Sequence, residues 1–232
     1  MNVNPINIKR IYQSIIEQLI SMIKEGKLKV GERLPPERTL AEMFNVSRAS
    51  IREAFSAMEV IGLIDVRQGE GSYITDLNIA PFINTIAPLF VRNESMETDL
   101  LEFRKMIEIE AVKLAANKHE NADLTLLKKN LESMHLALQK NDINMGAEAD
   151  IQFHKAIFDL TGNVVLLKAA EFTAYILESS VKFNRTKILK DHSNSKILYH
   201  QHNQIYQAIK HGNAELATEI MDKHLNFVKE II

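Results

Sequence analysis

One stretch, Glu32 to Ile74, ERLPPERTLAEMFNVSRASIREAFSAMEVIGLIDVRQGEGSYI, restricts the fold more than any other part of the chain. Pro35 and Pro36 suit the first turn of a helix, where a missing N–H leaves nothing unpaired. Leu40, Met43 and Phe44 make a short apolar face, and Asn45-Val46 breaks it. Ser47 is an N-cap for a second helix, in which Ile51, Ala54, Phe55 and Met58 recur at helical spacing. Gly62 closes that helix. Leu63 to Val66 alternates as a strand, Arg67 to Gly71 turns, and Ser72-Tyr73-Ile74 returns. Two short helices, a tight turn and a two-stranded wing predict a winged helix-turn-helix.

That arrangement points to DNA. A recognition helix places its first turns in the major groove, where Arg forks to guanine O6/N7 and small side chains approach phosphates or thymine methyls. Arg48, Ala49, Ser50 and Arg52 occupy those turns, and Arg48 and Arg52, four apart, share a face. Arg38 in the preceding helix is placed for a backbone phosphate, and the wing glycines allow backbone to approach the minor groove. Arginines alone are ordinary solvated surface; the ordered pattern as a whole favours DNA.

At 232 residues the chain is too long for one small winged helix and predicts two domains, 1–75 and 78–232, divided near Thr75–Asn78. With 46% hydrophobic and 25% charged residues it can bury substantial cores. The absence of Cys favours a reducing compartment, and no apolar run reaches membrane-spanning length, so the expected location is the cytoplasm, with no membrane partner. The net charge of −2 excludes a polyanion binder of the whole-surface kind. Residues 1–75 hold ten Lys and Arg against nine Asp and Glu. DNA binding must therefore come from local placement of basic side chains and from doubling that surface in a dimer.

Ahead of the winged stretch, residues 8–25 predict a helix, with Ile11, Ile15, Ile16, Leu19, Ile20 and Ile23 at three- and four-residue spacing and Gly26 at its end. Beyond it the pattern is helix after helix: 78–91, with Pro88 bending or ending it, then 97–117, 122–139, 143–160, 163–187, 195–210 and 214–231. Short connections make this a seven-helix antiparallel bundle. The fold class is mainly α.

All eight histidines lie in this half. His154 shares an apolar stripe with Ile151, Ile157 and Phe158; His202 lies with Leu198, Ile205 and Ile209; His224 lies with Ile220, Phe227 and Val228. Asp150, one turn before His154, projects from the same face. Any one of these alone is most simply a hydrogen-bonded core histidine. Three with a carboxylate in one bundle interior point to a cation, because buried ionisable groups are costly unless paired or metal-bound. Imidazole with carboxylate suits Zn²⁺ first, then Ni²⁺, Fe²⁺ or Mn²⁺, over Mg²⁺ or Ca²⁺. His119, His135, His192, His200 and His211 are expected at the surface. Arg104 lies on an apolar face with Leu100, Leu101, Ile107 and Ala111. It is either an i,i+4 ion-pair partner of Glu108 or a planar clamp for a carboxylate ligand. Asn163, after Gly162, is a helix N-cap or a ligand contact.

Leu34-Pro35-Pro36-Glu37-Arg38, Leu40-Ala41, Val46-Ser47-Arg48, Ile51-Arg52-Glu53-Ala54 and Gly62-Leu63-Ile64 resemble the GntR family of bacterial transcription regulators, with the match running from Ile11 to Ile74. The resemblance implies that Arg38, Arg48 and Arg52 contact DNA, with Ser47, Ser50 and Gly69 near its backbone. Leu101-Glu102-Phe103-Arg104 with Glu108, Asp150-Ile151-Gln152-Phe153-His154, Thr161-Gly162-Asn163, His202-Asn203-Gln204-Ile205 and His224-Leu225 resemble the FCD ligand domain of its FadR-type branch. That implies a metal held by Asp150, His154, His202 and His224, and a small carboxylate effector near Arg104 and Asn163. It also implies a homodimer on a short palindromic operator. The expectation is a ligand-responsive transcription regulator, a repressor of carboxylate metabolism, and not an enzyme. Two alternatives are a sensor of the metal itself and a metal-dependent hydrolase, for which Glu148 or Asp159 would have to serve as base.

Overall fold

The computed structural model, which describes residues 10–76, 78–90, 94–174, 188–189 and 191–231, buries only part of the apolar stripe expected of the first helix: Ile11 is 55% exposed at its start, and Ile16, Ile20 and Ile23 are half-buried. Helix α1 (Ile11–Lys24) buries Ile15 and Leu19 and packs on α3 (Arg48–Val60). Between them α2 (Glu37–Phe44) opens after Pro36 and ends at Asn45, whose left-handed φ of 51° turns the chain sharply. Ser47 caps α3, its Oγ accepting from the Ser50 amide at 3.1 Å. Ile51, Ala54 and Met58 are fully buried and Phe55 nearly so, the face the spacing predicts. Burial of each large apolar side chain contributes about 1.5–3 kcal/mol.

Gly62 follows α3 at φ 73°, and a Cβ there would fall 1.5 Å from the Asn78 carbonyl oxygen, so the position admits no side chain. Strand β1 (Ile64–Arg67) pairs antiparallel with β2 (Gly71–Ile74), Ile64 opposite Ile74 and Arg67 opposite Gly71. The wing gains a third partner that the sequence pattern did not reveal. Arg33 bridges to Tyr73, the Leu34 amide donates to the Ser72 carbonyl at 2.8 Å, and the Ile74 amide donates to Glu32 at 2.9 Å.

By contacts the chain divides into two compact units, Met1–Ile86 and Ala87–Ile232. Helix α4 (Ala80–Phe90) runs two residues past Pro88 rather than ending there. The second unit contains α5 (Glu94–Asn117), α6 (Thr125–Lys140), α7 (Ile143–Thr161), α8 (described over 164–174), α9 (His192–Lys210) and α10 (Ala214–Ile231). The expected helix over 163–187 lies partly outside the described residues. Helix α6 starts three residues later than predicted because a 3-10 turn (His119–Asn121) intervenes and the Asp123 carboxylate accepts from the Thr125 amide at 2.9 Å. Helix α9 starts three residues earlier, where Asp191 accepts from the Ser193 amide at 2.8 Å.

Two residues, Asn141 and Asp142, join α6 to α7, and so short a link forces antiparallel neighbours. Helix α5 packs on α7, α9 and α10; α9 also packs on α6 and α10. Val112, Leu127, Phe153, Ile157, Ile205, Ile209 and Met221 fill the space between these helices. One apolar core therefore draws together the inner faces of α5, α7, α9 and α10, the four helices that carry the ionisable residues singled out above.

Candidate functional site

In the first unit the arginines of the pattern are exposed and differ in their partners. Arg48 is exposed at the first position of α3, with no ion pair among the described residues. Arg52 Nε lies 2.9 Å from Glu37 Oε2, linking α3 to the first residue of α2, and the Arg52 side chain remains 61% exposed. Arg38 lies 3.6 Å from Glu42 and is 78% exposed. The Ser47 and Ser50 hydroxyls are 2.9 Å apart at the N-terminus of α3. Gly69 holds φ 80° at the wing tip, with open space where a side chain would stand. Arg67 is engaged within the wing by Asp65 at 2.8 Å and lies over the Tyr73 ring at 4.4 Å.

The second unit brings four predicted residues to one point. Asp150 and His154 from α7, His202 from α9 and His224 from α10 each offer a ligand atom within 4.8 Å of the others. His202 Nε2 lies 3.1 Å from Asp150 Oδ1 and 3.3 Å from His154 Nε2, and His154 Nε2 lies 3.9 Å from Asp150 Oδ1. Two ligands about 2.1 Å from a shared ion stand roughly 3.0–3.4 Å apart for angles between square and tetrahedral, a range that the two His202 separations meet and the wider His154–Asp150 separation exceeds. The three rings are all but fully buried, and Phe153 packs edge-on to His202 at 4.9 Å.

The opposite ring nitrogens meet acceptors. His202 Nδ1 is 2.7 Å from the Leu198 carbonyl, and His224 Nδ1 is 2.9 Å from Gln201 Oε1. His154 Nδ1 lies 2.6 Å from Glu108 Oε2, close but out of line for a regular hydrogen bond, and neither atom has another partner. With Nδ1–H facing outward, a neutral imidazole keeps its Nε2 lone pair for the centre, which is how metal-ligating histidines are oriented.

Electrostatics favour that neutral state. Burial holds His154 below its ordinary value although Glu108 pulls the other way. Burial also depresses His224, reinforced by the neighbouring His202 and His154. Burial pushes the Glu108 carboxyl up, but Arg104 and His154 outweigh it and hold the group well below the usual carboxylate range. Burial likewise disfavours the Arg104 cation, and Glu108 more than restores it. Arg104 Nε meets Glu108 Oε1 at 2.5 Å, so the ion pair, one of the two roles open to Arg104, is present.

A cavity of about 200 Å³ opens beside Asp150 and His202, with Asn141, His192, Ser195 and Tyr199 among its polar lining residues. Neither Arg104 nor Asn163 lines it. Asn163 is exposed and caps α8, its Oδ1 accepting from the Leu166 amide at 3.1 Å. Glu148 bonds Gln152 on the exposed side of α7, and neither it nor Asp159 belongs to the cluster. His135, His192, His200 and His211 are exposed as expected, whereas His119 is half-buried, its ring packed where Gly212 has no side chain. Two participants escaped the sequence reading. Glu108 entered only as a partner for Arg104, although its place one turn before Val112 aims it inward, and Gln201 gave no signal beside His202.

A helix-turn-helix with exposed arginines and a wing, followed by a helical unit holding a buried ligand cluster and a cavity, defines a DNA-binding regulator with a ligand domain. The chain belongs to the GntR family of bacterial regulatory proteins: residues 11–74 match the family's DNA-binding model and residues 99–227 match the FCD domain. It is 32% identical to the HTH-type transcriptional regulator LutR of Bacillus subtilis, over 91% of this chain and 96% of that one. It is 30% identical, over 95% of this chain and 85% of the other, to an Escherichia coli protein provisionally named as an L-lactate dehydrogenase operon regulatory protein. The solved structure of a GntR protein from Streptococcus agalactiae superposes with a TM-score of 0.73 at 25% identity, covering 94% of this chain and 99% of that one. The chain is thus a transcription regulator with DNA-binding and effector domains, and nothing in its relatives supports a hydrolase. Among the described residues no helix is long and apolar enough to cross a membrane.

Proposed function

We propose that this regulator senses a small carboxylate through a divalent transition metal, Zn²⁺ first among the candidates, held by Asp150, His154, His202 and His224. The observation that carries the reading is the convergence of three imidazoles and one carboxylate in a buried site, with the Nδ1 atom of each ring close to an oxygen acceptor. Charge balance supports the effector class. Asp150 and Glu108 against Arg104 leave one negative charge in excess; a divalent cation reverses it, and a single carboxylate then neutralises the site. Buried charge that balances costs far less than charge that does not. The adjoining cavity is smaller than the ~300–1,000 Å³ typical of pockets for drug-sized ligands, which fits an acid of few atoms. Arg104, paired with Glu108 and outside the lining of this cavity, contributes to the acid's binding through its charge.

On the DNA side, Arg48 and Arg52 read bases, Arg38 holds a phosphate, and Ser47, Ser50 and Gly69 approach the backbone. A homodimer on a palindromic operator doubles this surface, and fixed half-site spacing lets a small change in the effector domain cost much affinity, the arrangement of a repressor. The test is an operator titration of metal-loaded and metal-stripped protein with L-lactate, glycolate and related small acids. An acid response confined to the metal-loaded form is expected. A response of equal size without metal contradicts the reading, and a response to metal with no acid makes the ion itself the signal.

A further inference from the structure

We propose that Glu108 is a positioning residue for the metal site, orienting His154 for the cation while Arg104 holds Glu108 in place; this rests on the metal reading above. The three histidines are not oriented alike. His202 and His224 direct Nδ1 at neutral oxygens of the Leu198 backbone and the Gln201 side chain, whereas His154 directs Nδ1 at a carboxylate. That carboxylate comes from another helix, α5, and is 3% exposed.

A carboxylate in such a place is not explained by packing. An apolar residue of the same size at 108 would join Ile107, Ala111 and Val112 in the core at no desolvation cost. Glu108 instead divides its two oxygens, Oε1 to Arg104 Nε and Oε2 to His154 Nδ1. Oε2 and Nδ1 have no other partner, so nothing else present fixes which nitrogen of His154 carries the proton. Directed at Glu108, the proton leaves the Nε2 lone pair facing Asp150 and His202. An anionic acceptor beside Nδ1 makes the imidazole a stronger donor to a cation than a neutral one does. Arg104 keeps the carboxylate ionised and fixed in direction, so the device reaches two residues beyond the ligands.

Glu108→Gln and Glu108→Asp separate position from charge. An amide has one acceptor oxygen and cannot serve Arg104 and His154 together, while Asp keeps the charge but falls short by a methylene. In the full chain, Zn²⁺ affinity is measured by chelator competition and the visible spectrum of the Co²⁺-loaded protein is recorded. Both variants should bind Zn²⁺ about 10–100-fold more weakly than wild type and show altered Co²⁺ bands. Either variant matching wild type in affinity and spectrum overturns the proposal; in the case of Asp, charge alone would suffice. If Glu108→Gln does not fold, Glu108→Asp, which leaves Arg104 its counter-ion, carries the test. Wild-type protein that takes up neither ion removes the metal reading and this inference with it, a result distinct from failure of the variants alone.

Discussion

Arg52 meets Glu37 at 2.9 Å with side chains 61% and 36% exposed; Arg104 meets Glu108 at 2.5 Å with side chains 14% and 4% exposed. The two pairs have the same chemistry and opposite consequences. In the winged helix, water screens the attraction and competes for both partners, so such a pair contributes about 0–1 kcal/mol. A competing anion can take Arg52 from Glu37 at little expense. In the bundle each charge has lost its water, and removing one strands the other. The exposed pair on the winged helix is exchangeable, and the buried pair in the bundle is fixed in place.

The sharpest way to break the comparison is Glu108→Ala. Leaving Arg104 buried without its counter-ion should cost about 3–5 kcal/mol, read as a fall in the urea midpoint of the helical signal. Metal removal comes next. A cation at a hundred times its dissociation constant stabilises the fold by about 2.7 kcal/mol, so chelation should lower the melting temperature of wild type and leave His202→Ala unmoved. The same melts, run against pH, test the buried histidines. His154 and His224 titrate below 6.5 when folded, so the unfolded chain takes up protons first as pH falls. Stability of the metal-free protein should be level above about pH 6.5 and decline below it; a rise on acidification would mean that the imidazoles are charged in the fold.

Arg48→Ala and Arg52→Ala should each weaken operator binding by about 1–3 kcal/mol, with relaxed preference at one base pair where the contact is to a base. Arg48→Ala should leave the melting temperature unmoved, and Arg52→Ala should lower stability by no more than loss of its exposed pair with Glu37, about 0–1 kcal/mol. The smallest effect is that of Glu37→Gln, at most about 1 kcal/mol in stability. Should Glu37→Gln destabilise as much as Glu108→Ala, the contrast between the two pairs would collapse.

Much of this was legible in the sequence because helices impose a strict period. Ile51, Ala54, Phe55 and Met58 announce one buried face by spacing alone, and all four are buried. Asp150 and His154 share a face for the same reason, and His202 and His224 lie on apolar stripes that must turn inward. What spacing does not carry is contact between helices distant in sequence. Nothing local says that Glu108 on α5 meets His154 on α7, or that Gln201 turns its amide to His224. The bridge from Arg33 to Tyr73 was hidden too, since a pairing two or three residues long leaves no alternation to read. Helix starts at Thr125 and His192 moved because Asp side chains, not the apolar pattern, set where the first turn closes.

The central claim is that the buried cluster of the helical unit is a metal site. Its most direct test is elemental analysis of full-length protein purified without chelator or polyhistidine tag, before and after reloading with Zn²⁺, alongside His202→Ala. Wild type should carry roughly one divalent transition-metal ion per chain, and the variant almost none at equal helix content. Wild-type protein that emerges without metal and cannot be reloaded, or His202→Ala that retains a full equivalent, would contradict it.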